Sequence, residues 1–163
     1  MKPQVDTIYG WLDAVKDPEV PVLSVTDLGI VRKVEWEDDR LIVTITPTYS
    51  GCPAMDVIAM EIRMVLLEKN IPNHEIRRQL SPAWTTDWMS QKGKDELKAY
   101  GIAPPTHSQS VCTPEAFQEE EAIQCPRCNS YHTSLISRFG STACKALYKC
   151  EECREPFDYF KCH

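Results

Sequence analysis

Apolar residues recur along this chain in two periods. Ile8, Trp11, Leu12 and Val15 stand three and four residues apart behind Asp6, a spacing that predicts a helix with one buried face and an aspartate cap. The segment Asp17-Pro18-Glu19-Val20-Pro21 ends that helix, because proline has no N–H with which to continue it. Residues 30–36 and 41–46 are β-branched and partly alternating, and the acidic turn Glu37-Asp38-Asp39-Arg40 between them predicts a hairpin. Pro53 takes the first position of a second helix, in which Met55, Ile58, Ile62, Val65 and Leu66 share one face. A weaker strand near residues 75–80 and a helix near residues 90–100, stopped by Gly101, complete a small α+β sandwich.

The pattern then changes. Residues 103–121 hold three prolines, several small polar residues and a terminal acidic run without a sustained period, which reads as a linker. Beyond it, residues 131–139 and 146–149 predict two short strands with Gly140-Ser141 in the turn, and Phe157, Tyr159 and Phe160 supply a third. The expected organisation is a domain over residues 1–102, a linker over 103–121 and a small β module over 122–163, with no internal repeat.

Charge narrows the partners. The 163 residues carry 18 basic and 24 acidic side chains, a net of -6, which argues against general affinity for nucleic acid or an anionic membrane. Residues 1–120 hold 12 basic and 19 acidic groups, a net of -7, and residues 121–163 hold 6 and 5, a net of +1. No apolar run approaches the roughly 20 residues needed to cross a bilayer. The first residues, MKPQVDTIYGWLDAVKD, lack the apolar core and small-residue cleavage site of a signal peptide, so a cytoplasmic location is expected.

That compartment decides how the eight cysteines are read. Cys52 and Cys112 stand alone, while six cysteines crowd the last 39 residues. Three disulfides would suit a secreted chain, whereas cytoplasmic reductants keep thiols free for metal. Cys125-Pro126-Arg127-Cys128 and Cys150-Glu151-Glu152-Cys153 are two C-x2-C knuckles separated by 21 residues. Each knuckle aims two sulphurs at one ion, and together they make the tetrahedral set that zinc accepts. A single iron or an iron–sulphur cluster suits four thiolates as well. About 40 residues bury too little apolar surface to fold alone, so the metal would supply much of the stability. Cys144 and Cys162 are surplus, either as free thiols or as substitute ligands, and His163 is terminal. Such ribbons often serve nucleic acid, but no Lys/Arg stripe accompanies these aromatics, so protein contact is the better expectation.

Cys52 sits in Pro47-Thr48-Tyr49-Ser50-Gly51-Cys52-Pro53, directly before the proline-started helix. Unpaired N–H groups at a helix start favour a thiolate, which can ligate iron, hold a cluster or attack an electrophile. The plain alternative is a small cysteine chosen for packing. His74, His107 and His132 could serve it as a base only through the fold. Asp27, in Val25-Thr26-Asp27-Leu28-Gly29, either closes its own turn or reaches toward Cys52.

In order along the chain, DPEVPVLSVTDLGIVRKVEW and LIVTITPTYSGCPAMDVI resemble the small α+β domain of SufT-like iron–sulphur assembly factors and their eukaryotic cytosolic counterparts. That domain, a linker, the CPRC/CEEC ribbon with GSTACKALYKC, and SPAWTTDWMS together resemble the PaaD (also PaaJ) family of bacterial phenylacetate degradation. The resemblance implies an accessory protein of the phenylacetyl-CoA epoxidase system that helps mature its metal or iron–sulphur components, with the epoxidase subunits, above all the reductase with flavin and a [2Fe-2S] centre, as partners. It also implies Cys52 and the neighbouring Asp27 as the residues that handle a transient cluster or iron. A stoichiometric subunit of the oxygenase and, more remotely, a thiol enzyme are the other classes. The chain has no GxGxxG and no ExxH pair, the usual marks of a dinucleotide or di-iron carboxylate site.

Overall fold

Strand β1 (Val31–Glu37) pairs antiparallel with β2 (Arg40–Ile45), and Glu37 lies opposite Arg40 across the turn. Asp38 turns the chain with a left-handed φ of 48°, a conformation that aspartate tolerates better than most residues. These are the predicted hairpin strands, shifted by a residue at their ends. Helix α2 (Ala54–Glu68) then carries the chain over to β3 (His74–Arg78), which runs parallel to β2, so the sheet order is β1-β2-β3. Pro53 stands at the N-cap rather than inside the helix. At the other end Asn70 is left-handed, its N–H bonds the Leu67 carbonyl and the Ile71 N–H bonds that of Leu66, a Schellman closure. Leu41, Ile42, Val43 and Ile45 of β2, Ile58, Ile62 and Leu66 of α2, and Ile8 and Leu12 of α1 (Val5–Leu12) are all completely buried. Helix α1 is shorter than its periodicity suggests. Asp6 falls inside its first turn instead of capping it, and the helix stops at Leu12, ahead of the prolines.

The structure, a computed structural model, describes residues 1–105 and 122–161. It divides into two compact units, Met1–Trp84 and Thr85–His163. In the second unit Ser90 caps α3 (Gln91–Tyr100) by accepting the Gly93 N–H at 2.9 Å, and Gly101 ends it at a φ of 94°. Next comes β4 (Ile102–Ala103), a two-residue strand parallel to β7 (Pro156–Phe160). The strands β5 (Thr133–Ser137) and β6 (Lys145–Cys150) complete a sheet of order β4-β7-β6-β5. Helix α3 and β4 therefore join the unit of the cysteine knuckles, and the division falls before the break in composition. Ala103, read as linker, is buried in that unit's core with Ile123, Cys125, Cys150 and Phe157. A two-residue strand has no period to read, so its partner on β7 is visible only in three dimensions. Most of the predicted linker, residues 106–121, lies outside the described residues, as do Cys112, Cys162 and His163.

Core position decides the cost of truncation along α2. Ile62→Ala should lower unfolding stability by about 2–4 kcal/mol, while Met64→Ala, on the exposed side of the same helix, should change it by less than about 0.5 kcal/mol. Urea titration followed by circular dichroism measures both.

Candidate functional site

The two knuckles are built alike. The Cys125 N–H donates to the Ser130 carbonyl at 2.8 Å and the Cys150 N–H to that of Glu155 at 3.0 Å, each closing a loop over its C-x2-C. The residue after each second cysteine, Asn129 and Arg154, is left-handed, with φ of 63° and 65°. Two equivalent turns thus present their sulphurs to one point. The sulphurs of Cys125, Cys128, Cys150 and Cys153 all lie within 4.8 Å of one another. Cys125 and Cys153 are 3.8 Å apart and Cys128 and Cys150 3.5 Å, too far for disulfides. Zinc–sulphur bonds of about 2.3 Å in a tetrahedron place sulphurs about 3.8 Å apart, so this donor set fits one ion.

Ionisation within the quartet is uneven. Burial works against ionising Cys150, but the N–H groups of Cys153 and Glu152 and the neighbouring thiols outweigh it and bring that thiol down to about 7. The Glu155 N–H favours ionising Cys153, yet burial and the other three sulphurs push it up to about 12. Without a cation the four share protons. Cys144 is buried but stands outside the quartet, 3.0 Å from the Thr142 hydroxyl.

Cys52 belongs to the first unit, half-buried on the loop between β2 and α2. Gly51 supplies a left-handed φ of 80°, and the Cys52 N–H donates to the Tyr49 carbonyl at 3.3 Å. The thiol therefore meets the Ala54 N–H at the start of α2, as its position predicts. The expected thiolate does not follow. Burial pushes the Cys52 thiol above its ordinary range, and the Glu19 and Asp17 carboxylates push it further. The Ala54 N–H and the Tyr49 hydroxyl act the other way and are outweighed.

Glu19 and Asp17 are charged neighbours of Cys52 that the sequence reading did not assign to it, since it used the segment as a helix stop and as part of a family resemblance. Asp17 is buried, and its Oδ1 accepts the N–H groups of Glu19 at 2.8 Å and Val20 at 2.9 Å, which folds the acidic turn onto itself. Asp27 is buried too. Its Oδ2 lies 2.9 Å from the Ser24 hydroxyl, and its N–H donates to that oxygen at 3.0 Å. The same hydroxyl is 2.7 Å from Asp13 Oδ1, which also accepts from Thr26 at 2.6 Å. Ser24 thus stands within hydrogen-bond reach of both carboxylates. Thr46, where the chain leaves β2 for the Cys52 loop, has a buried hydroxyl with no hydrogen-bond partner among the described residues. His74 is engaged with the Ile71 carbonyl at 2.7 Å and His132 with Glu152 at 3.2 Å. Within the first unit His74 is thus not paired with Cys52, and His107 lies outside the described residues.

Residues 5–73 match the family described as iron-sulfur cluster assembly protein, and residues 109–161 match the PaaD zinc beta ribbon domain. Over 161 residues the chain is 49% identical to a protein of Escherichia coli (strain K12) provisionally named as one of the subunits of 1,2-phenylacetyl-CoA epoxidase, covering 98% of this chain and 94% of that one. It is 34% identical over 94 residues to the Fe-S protein maturation auxiliary factor YitW of Bacillus subtilis (strain 168), covering 56% of this chain and 91% of the other. The crystal structure of a DUF59 domain from Bacillus anthracis superposes with a TM-score of 0.51 at 30% identity, over 56% of this chain and 89% of that domain.

Two measurements test the site. Cys150→Ser should weaken metal binding by more than about 100-fold, beyond the 10–100-fold that loss of an outer-shell partner costs, whereas Cys144→Ser should retain the metal. Elemental analysis of the purified variants decides it, and retained metal in Cys150→Ser would remove that residue from the ligand set. Alkylation of the Cys52 peptide, followed by mass spectrometry across pH, should rise at higher pH than for an ordinary thiol. In Glu19→Gln the curve should move to lower pH, because one carboxylate opposing the thiolate is gone.

Proposed function

The chain belongs to the PaaD family, and from that premise we propose that it serves the phenylacetyl-CoA epoxidase system as an accessory protein that assists iron–sulphur maturation of the reductase component. The observation that carries this reading is Cys52. It is a half-buried thiol at the start of α2, in a part of the chain similar to proteins named as Fe-S maturation factors. Its sulphur would hold iron or a cluster in transit, as cargo. Asp27, bonded to Ser24, orders its own turn at residues 24–27, and Asp17 and Glu19 add to burial in raising the thiol. The unpartnered Thr46 hydroxyl offers a further polar contact at the base of the same loop.

In the second unit Cys125, Cys128, Cys150 and Cys153 would hold zinc, a choice supported by the sulphur spacing and the ribbon family. That ion supplies a structural cross-link. The residues around it fix two turns and the strands between them.

The name of the Escherichia coli relative favours a second reading, in which the protein stays in the oxygenase complex as a subunit. Co-expression separates the two. Beside Cys52→Ala the purified reductase should lack most of its iron and acid-labile sulphide, while the variant loses about 1 kcal/mol of stability at most and keeps its ribbon metal. A fully loaded reductase would sink the maturation reading at this residue. A loaded reductase that turns over only while this chain is present would establish the subunit.

A further inference from the structure

Helix α2 is apolar on two opposite faces. Ile58, Ile62 and Leu66 form the completely buried face. With 3.6 residues per turn, Val57, Met60, Met64 and Leu67 line the side turned away from it. They are 38%, 53%, 53% and 54% exposed, on a side where a surface helix ordinarily carries polar residues. Their spacing of three, four and three residues makes one continuous seam of roughly 15 Å. Glu61 and Glu68 flank one edge, and neither forms an ion pair among the described residues. Arg63 and Asp56 flank the other, with Asp56 already paired to Arg78.

We propose that this seam docks an amphipathic helix of the protein whose iron–sulphur site is being matured, a helix with apolar residues at three-four spacing and lysine or arginine along one edge. The inference rests on the function proposed above and adds the surface by which that partner is held. The two unpaired carboxylates call for the basic edge, since opposite charges beside an apolar seam set partner choice and orientation. The seam begins one turn into the helix that Cys52 precedes, so a helix lying along it has one end near the Cys52 loop. Methionine side chains adapt to a partner's contour, and four residues make a small contact, suited to an encounter that must end in release.

Other occupants fit less well. A second copy packed antiparallel about a twofold axis sets Glu61 against Glu61 and Arg63 against Arg63, and in a parallel copy the contact of Asp56 with Glu61 offsets that of Arg63 with Glu68. The like-charge contacts oppose the antiparallel pairing. Anionic lipid is disfavoured by the same carboxylates.

The test titrates the full-length protein into purified cluster-free reductase of the epoxidase system by calorimetry. Met60→Glu/Met64→Glu, with an unchanged melting curve, should weaken binding about tenfold or more, and Glu61→Lys/Glu68→Lys should weaken it and flatten its salt dependence. A photo-cross-linking residue at position 64 should capture a reductase peptide of the stated pattern. Unaltered affinity in the methionine variant, no binding by the wild-type chain, or a cross-link to a second copy or to lipid would overturn the proposal. Co-expression keeps this failure distinct from failure of the function. If Cys52→Ala depletes the reductase of cluster while Met60→Glu/Met64→Glu fills it normally, the docking seam is wrong and the maturation role stands.

Discussion

Four sulphur atoms within 4.8 Å of one another cannot all be ionised without a cation, and the second unit is arranged around that constraint. Thiols brought down to about 7 and up to about 12 in the same cluster are the signature of protons shared among sites too close to ionise together. A divalent ion removes the conflict. Cys150 is the last residue of β6, and its knuckle leads directly to Pro156 at the start of β7, so fixing the sulphurs also fixes the antiparallel register of those strands. The apolar core beside them is small, and two of its buried members are the ligating candidates Cys125 and Cys150. Burial and coordination therefore act through the same side chains.

The first unit is held together differently. Its sheet and two helices bury a continuous set of aliphatic side chains, and no metal is needed to close that core. Its single cysteine is thereby released from structural duty. Cys52 is held where a helix start attracts negative charge, but burial and two acidic neighbours keep the proton on the sulphur. One chain thus contains thiols that need a metal to settle their charge and a thiol that holds its proton.

Legibility from the sequence followed the range of the interaction. The hairpin, α2 and the two C-x2-C knuckles are local patterns whose periods or turns span a few residues, and they appear nearly where spacing puts them. The strand β4 is two residues long and owes its existence to β7, more than fifty positions later, so no window contains its cause. The same contact draws α3 and β4 toward the ribbon sheet, against a composition that changes only after them. The ionisation of Cys52 escaped for a related reason. The helix start is adjacent in sequence and was visible, whereas Asp17 and Glu19 reach the thiol only because the turn at residues 17–21 folds back. Spacing located the residue, and only the fold could give the sign of its electrostatics.

That sign bears on what a carrier must do. A metal ligand has to give up its proton, so iron and proton compete for the same sulphur, and at Cys52 the burial and carboxylates that raise the thiol make that competition part of binding. The ribbon quartet sits at the other extreme, since four clustered sulphurs gain from a cation what they lose in protons. A residue meant to keep its metal and a residue meant to hand it on should differ in this way. On the proposed function, the acidic turn of residues 17–21 is therefore part of the transfer chemistry: its carboxylates hold the proton on Cys52 while the site is empty and attract the iron cation that displaces it.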